Sequence, residues 1–292
     1  MIQPAHVTFI HGLANKPAAA DLRRVWLEAL AAPVQGDEGF DLGAVGVTDS
    51  FVYWADFFYD TPIPASDYES RSDELLGSVP GDIDPGAGEW VDAMQAKFPD
   101  EFADAPVTGK DPGFERIPLP GFLKKRLMSH FVHEAHDYLF DVSGIRRNIR
   151  QRVLDDFAKV PAGTRHVLVG HSQGSFIAYD ALTGVPECKQ MDGLLTLGSP
   201  LGVDEIQDRL VWTRANGFPM KLRGEWVNVY DRGDPVARPD PELANDFLKA
   251  GEKAVIDVNE QNWGTWRHSA TKYFKGPMLR RHLRRLCGRE DA

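Results

Sequence analysis

Arg165-His166-Val167-Leu168-Val169-Gly170-His171-Ser172-Gln173-Gly174-Ser175-Phe176-Ile177 is the stretch that decides the fold. Val167-Leu168-Val169 is a continuous apolar run, which suits a strand covered on both faces in a parallel sheet. Phe176, Ile177, Tyr179 and Leu182 then recur at helical spacing. Between strand and helix lies Gly170-His171-Ser172-Gln173-Gly174, a G-x-S-x-G. The spacing has a physical reason. A serine presented at the carboxyl end of a strand must sit on a tight, strained turn. Glycines two residues before and after it let strand and helix crowd that turn without a Cβ clash. The helix start also turns backbone N–H groups and the positive end of its dipole toward the serine.

Further apolar runs lie at His6–Ile10, Val45–Trp54, Leu194–Leu197, Trp226–Tyr230 and Val255–Val258. Helical patterns separate them. Leu22, Val25, Trp26 and Leu30 form one stripe. Val142, Ile145, Ile149, Val153 and Phe157 form another, with Asp141 or Ser143 as cap. Met278, Leu279, Leu283 and Leu286 form a third, behind Pro277 as a first helical residue. Strand–helix alternation predicts an α/β chain with a doubly wound, mostly parallel sheet.

A serine hydroxyl is a poor nucleophile unless a base takes its proton and a third group orients the base. With the serine on an elbow of this kind, the acid and then the base should follow later strands. After Trp226–Tyr230 stand Asp231 and Asp234. Asp234 is favoured because Pro235 fixes the chain beyond it, and Asp231 stays open. After Val255–Val258 and before the last helical pattern, His268 is the one histidine. An oxyanion would need two N–H donors. Gln173 follows the serine, and Leu13 lies in His11-Gly12-Leu13-Ala14-Asn15 after the first strand, where Gly12 lets the backbone turn its amides inward.

These stretches, VTFIHGL (7–13), VLVGHSQG (167–174), VNVYDRGDPV (227–236) and HSATKY (268–273), make the chain resemble serine hydrolases of the α/β-hydrolase superfamily, lipase- and esterase-like members in particular. The resemblance covers residues 1–56 and 141–292, the expected core. It implies a Ser172–His268–Asp234 triad, an oxyanion hole at Leu13 and Gln173, and cleavage of a small-molecule carboxylic ester through an acyl-enzyme, with no metal or organic cofactor. A thioesterase or peptidase could use the same triad. A catalytically silent copy serving as a binding module is the reading of a different class, and the retained candidates for nucleophile, acid and base speak against it.

Residues 57–140 match no part of that resemblance and are expected to form a cap or lid. Residues 57–113 hold thirteen acids and three bases, a local net charge of −10 that equals the balance of all 292 residues. Seven prolines and six glycines interrupt them. Within the helix expected over 121–140, His130, His133 and His136 are too widely spread for three ligands of one metal. Leu123, Leu127, Phe131 and Leu139, with Lys124, Lys125 and Arg126, could rest on a membrane surface; covering the site entrance is the favoured reading. Phe57, Phe58 and Tyr59 read equally as pocket lining or core. The segment from Lys275 is basic and reads as a solvated helix face.

The overall negative charge argues against nucleic acid as a partner. With 42% hydrophobic residues, pervasive disorder is excluded. Cys188 and Cys287 are the only cysteines and are expected as free thiols. The opening MIQPAHVTFI carries no signal-peptide pattern, so a cytoplasmic location is expected.

Overall fold

Strand β1 (Ala5–Ile10) is buried along its whole length, as a strand must be when helices cover both faces of its sheet. In the computed structural model, which describes residues 3–34, 36–70, 88–97, 132–263 and 266–290, β1 is joined by β2 (Val47–Val52), β3 (Arg165–His171), β4 (Met191–Leu197), β5 (Leu222–Tyr230) and β8 (Val255–Asn259). The order is β2-β1-β3-β4-β5-β8, and every pairing is parallel. A separate antiparallel pair, β6 (Leu248–Lys249) and β7 (Glu252–Lys253), lies outside this sheet. The six apolar runs of the sequence are the six strands of the sheet.

From β1 the chain passes through α1 (Ala19–Ala31) to β2 at one edge, then returns to β3 on the other side of β1. The winding therefore reverses between β1 and β3. In open α/β sheets, crevices for ligands open beyond the carboxyl ends of the strands at such a reversal. Here those ends lead into the loop 11–15 and into Ser172.

Alternation of side chains divides the core into two layers. Val167 and Val169 face α1, α8 (Ala270–Lys275) and α9 (Pro277–Leu286). Leu168 faces α5 (Ile145–Ala158) and α6 (Gln173–Gly184). Short helices α2 (Ala65–Ser70) and α7 (Asp204–Gln207), with α3 (Gly88–Lys97) and α4 (132–139), are the other α-helices among the described residues. From the region expected to be a cap, Tyr68, Trp90, Met94, Val132, Ala135, Tyr138 and Leu139 are buried in these clusters. His130 and most of the helix expected over 121–140 lie outside the described residues. His136 bonds Asp137 and stacks on Phe140 at 4.5 Å.

The helix expected from Val142 starts later, at Ile145. Asp141, Ser143 and Gly144 all have positive φ, at 53°, 51° and 78°, which breaks the helical path before Ile145. Asp141 still accepts the Arg147 N–H at 3.1 Å, so the expected cap acts from one turn away. Pro277 does open α9, and the Glu260 carboxylate accepts the N–H groups of Met278 and Leu279 there at 3.0 and 3.1 Å.

Two polar clusters cross the α5/α6 layer. Asp180, fully buried on α6, is gripped by Arg146 and Arg150 of α5 and by the Tyr138 hydroxyl of α4. Burial alone would raise its carboxyl, but the two guanidiniums hold it below the ordinary range. Nearer the strand beginnings, Thr8 meets His166 at 2.8 Å, while Ser50 links His6 and Asp156 at 2.9 and 2.5 Å. Burial pushes His166 down to about 3, with the neighbouring charge sites of His6 and Lys189 adding to it.

That shift has a definite sign. The unfolded imidazole takes a proton near 6.5, whereas the folded one resists until about pH 3. The unfolded state binds more protons across this window, so His166 favours folding above pH 6.5 and loses that contribution as the pH falls, by at most about 1.4 kcal/mol per pH unit for one proton. Urea unfolding from pH 7 to pH 4.5 is expected to show a shallower loss in His166→Gln than in the parent chain. Equal slopes would mean His166 is protonated as easily folded as unfolded.

Candidate active site

Ser172 occupies the turn between β3 and α6 with φ 55° and ψ −125°, a strained conformation for any residue with a side chain. The crowding anticipated for the flanking glycines is present. A Cβ on Gly170 would lie 2.6 Å from the Gly174 carbonyl oxygen, and one on Gly174 would lie 2.2 Å from that of Ile10. A Cβ on Gly12 would meet the Ser172 Cβ at 2.7 Å. The loop after β1 therefore presses directly against the serine. The Ser172 N–H donates to the Leu197 carbonyl at 2.9 Å, which fixes the turn to the end of β4.

Beyond β5, Asp234 is fully buried and lies 2.8 and 2.9 Å from Nδ1 of His268. Its other partners are the Tyr273 hydroxyl at 2.7 Å and the Val236 N–H at 2.8 Å. Burial works against its charge, but His268 and these donors more than offset that and lower its carboxyl below the usual range. A carboxylate at Nδ1 places the ring proton there and leaves Nε2 as the acceptor. His268 is itself 1% exposed. Its ring lies against His171 at 4.7 Å between centroids, and its carbonyl accepts from His171 Nε2 at 2.8 Å. The residue before the serine thus touches the histidine.

Asp231 has different partners. It accepts the N–H groups of Gly233 and Asn262, each at 2.6 Å, and an N–H of Arg267 at 3.1 Å. Its carboxylate ties the turn carrying Asp234 to the loop carrying His268. Burial raises its carboxyl despite those donors. Tyr273 bridges the two acids, accepting the Asp231 N–H at 3.0 Å while donating to Asp234.

Among the described residues, the buried side-chain atoms without a hydrogen-bond partner include Ser172 Oγ, His268 Nε2, Gln173 Oε1 and Trp266 Nε1. Trp266 stands edge-on to His268 at 5.7 Å. No hydrogen bond joins Ser172 Oγ to His268 Nε2 in this state. Leaving several polar atoms buried and unmet is costly in a plain core; it is the usual condition of a site that receives a ligand.

Three contributors escaped the sequence reading. Gly198, with φ 52°, directly follows β4, and a Cβ there would lie 2.6 Å from Asp234 Oδ2 and 3.1 Å from His268 Nδ1. Its place after Leu194–Leu197 was a usable signal. His11 braces the loop after β1, with Nε2 accepting the Trp54 N–H at 2.9 Å and Nδ1 donating to the Gly12 carbonyl at 2.7 Å. Burial holds it well below the ordinary histidine range. Glu134 of α4, fully buried, receives the Ala14 N–H on both carboxylate oxygens at 3.0 Å and the Tyr59 hydroxyl at 2.5 Å. Burial pushes it up to about 7. Tyr59 thus belongs to this polar cluster, whereas Phe57 and Phe58 are partly buried hydrophobics packed on the core.

No protein-family model matches the sequence, and no curated protein matches it either. Solved structures similar to the chain include a dienelactone hydrolase from Anabaena variabilis, 12% identical over 97% of this chain and 83% of that one, with a TM-score of 0.36. An α/β serine hydrolase without lid from Xanthomonas campestris is 12% identical over 99% and 83%, TM-score 0.33. A YdeN-like hydrolase from Pectobacterium atrosepticum is 15% identical over 49% and 69%, TM-score 0.33. Likeness at that level carries no weight on its own. The chain's own parallel sheet, its reversal beside β1 and the strained serine turn after β3 make this an α/β-hydrolase fold.

Proposed function

We propose that the protein is a serine hydrolase that cleaves a carboxylic ester through an acyl-enzyme. The observation that carries this reading is a pair of buried atoms without partners, Ser172 Oγ and His268 Nε2, behind which Asp234 holds the far side of the imidazole. An acid-held imidazole with an unbonded acceptor nitrogen, and an unbonded hydroxyl on a strained turn, are the groups that general-base activation of serine uses.

In this mechanism Ser172 Oγ attacks the ester carbonyl as His268 Nε2 takes its proton. The carbonyl π electrons move to oxygen, and the oxyanion accepts the N–H groups of Leu13 and Gln173. Collapse expels the alkoxide, which takes the proton from His268 and leaves as the alcohol. Water then repeats the sequence at the acyl-enzyme: its proton goes to His268, the acid departs, and Ser172 is re-protonated. Asp234 keeps the imidazole oriented and stabilises its charged form at each stage. Only side chains, backbone amides and water take part. Residues 57–140 serve as the cap over the acyl pocket in this reading.

A fluorophosphonate probe tests it. Mass spectrometry is expected to find one adduct per chain, on Ser172, and labelled protein should lose turnover of p-nitrophenyl esters in proportion. Modification elsewhere, or labelled protein that turns over as before, would reject the reading.

A further inference from the structure

We infer that Glu134 is a positioning residue that fixes the geometry of the two oxyanion-binding amides; this rests on the hydrolase reading above. The inference comes from what one residue touches. The Glu134 carboxylate receives the Ala14 N–H on both oxygens at 3.0 Å, and Ala14 directly follows Leu13. The carbonyl of the same residue accepts from Gln173 Nε2 at 3.3 Å. Glu134 therefore reaches both sides of the oxyanion site, the loop after β1 with its carboxylate and the side chain of Gln173, the first residue of α6, with its backbone carbonyl.

The loop needs such a hold. Ala14 has φ 71°, a left-handed conformation unfavourable for alanine. A bond from its N–H to a buried carboxylate favours that conformation and thereby orients the peptide joining Gly12 to Leu13. Tyr59 donates to Oε1 from the segment after β2, so the carboxylate is itself held. Lys16, in the same loop, lowers the cost of its charge, whereas Asp137 on α4 raises it. A fully buried carboxylate is expensive in a helix whose other inward residues, Val132, Ala135 and Tyr138, pack on the core. An apolar residue would pack there at lower cost but could not hold the loop.

The test is Glu134→Gln in the full chain, with p-nitrophenyl acetate turnover and amide hydrogen exchange of residues 12–15. Glutamine keeps the shape but cannot accept from Ala14 and Tyr59 with two equivalent oxygens. The expected result is a kcat lower by roughly 10- to 100-fold, as for a displaced oxyanion donor, with KM within about twofold. Exchange at residues 12–15 should quicken. Tyr59→Phe, which leaves the carboxylate on Ala14, should lose roughly 2- to 10-fold in kcat with faster exchange at residues 12–15; should Glu134→Gln not fold, unchanged kcat and exchange in Tyr59→Phe overturn the inference. Unchanged kcat in both variants overturns the inference. So does a loss of thermal stability in Glu134→Gln with kcat and loop exchange unmoved, because that is a purely structural role. Ser172→Ala separates the two ideas. If it keeps full turnover the hydrolase reading fails, and unaltered loop exchange in Glu134→Gln would then dispose of the clamp as well.

Discussion

Ser172→Ala is expected to lower kcat for p-nitrophenyl ester hydrolysis by about 10⁶-fold, the scale on which removing a triad nucleophile acts. The residual rate would come from the oxyanion amides and binding alone. His268→Ala should cost about as much, and the double variant little more, because the two groups act on one proton. The serine change should be nearly silent for folding. Ser172 Oγ makes no hydrogen bond, so alanine leaves no donor or acceptor unmet. Alanine also suffers at φ 55° no more than serine does. Urea midpoints of the variant and parent are thus expected to agree closely while their rates diverge. A variant with undiminished turnover would remove Ser172 from the chemistry.

The largest stability effect is expected at Asp180. Two arginine forks converge on this one carboxylate, with Arg146 at 2.5 and 2.9 Å and Arg150 at 2.6 and 2.7 Å, and the Tyr138 hydroxyl at 2.7 Å. Asp180→Ala strands two guanidiniums in a mostly apolar layer, where breaking a buried pair from one side costs about 3–5 kcal/mol. The arginine side chains are 14% and 25% exposed, so partial escape to water places the expected value near the lower end. That is still a large part of the ~5–15 kcal/mol that holds a typical domain. Arg150→Met should cost less, since Asp180 keeps Arg146 and Tyr138. Urea unfolding with an unchanged m-value checks both; a loss under about 1 kcal/mol for Asp180→Ala would show that the cluster is decorative.

Much of this architecture is legible in the sequence because its signals are local. Val167-Leu168-Val169 announces a covered strand, and the Gly170 and Gly174 pair announces a turn so tight that a Cβ on either glycine would lie within 2.6 Å of a carbonyl oxygen. The placing of β2 outside β1 is not legible, because parallel partners meet through long crossovers that leave no mark on either strand. The site divides in the same way. Gly12 is readable from its place after a strand. Whether Asp231 or Asp234 faces His268 depends on the path of a turn, and both carboxylates end up buried within one network. Glu134 was hidden among three histidines that drew attention to their own spacing. Its contact with Ala14 spans 120 residues, and no window along the chain reveals it.

The last helix and the residues just after it reach back to the first elements. Arg280, with no exposed surface, donates to the carbonyls of Ala29 and Ala32 and pairs with Asp37, and Arg289 donates to those of Gln3 and Val45. During synthesis, β1 and α1 must therefore wait for residues 280–289 before their neighbourhood is complete, and β1 waits for β3 to gain its inner partner. A nascent chain stalled before α9 presents an open seam, the kind of surface on which chaperones act and from which aggregation starts. Expression yield should accordingly respond to damage in this distal arginine pair more sharply than the turnover of the molecules that mature.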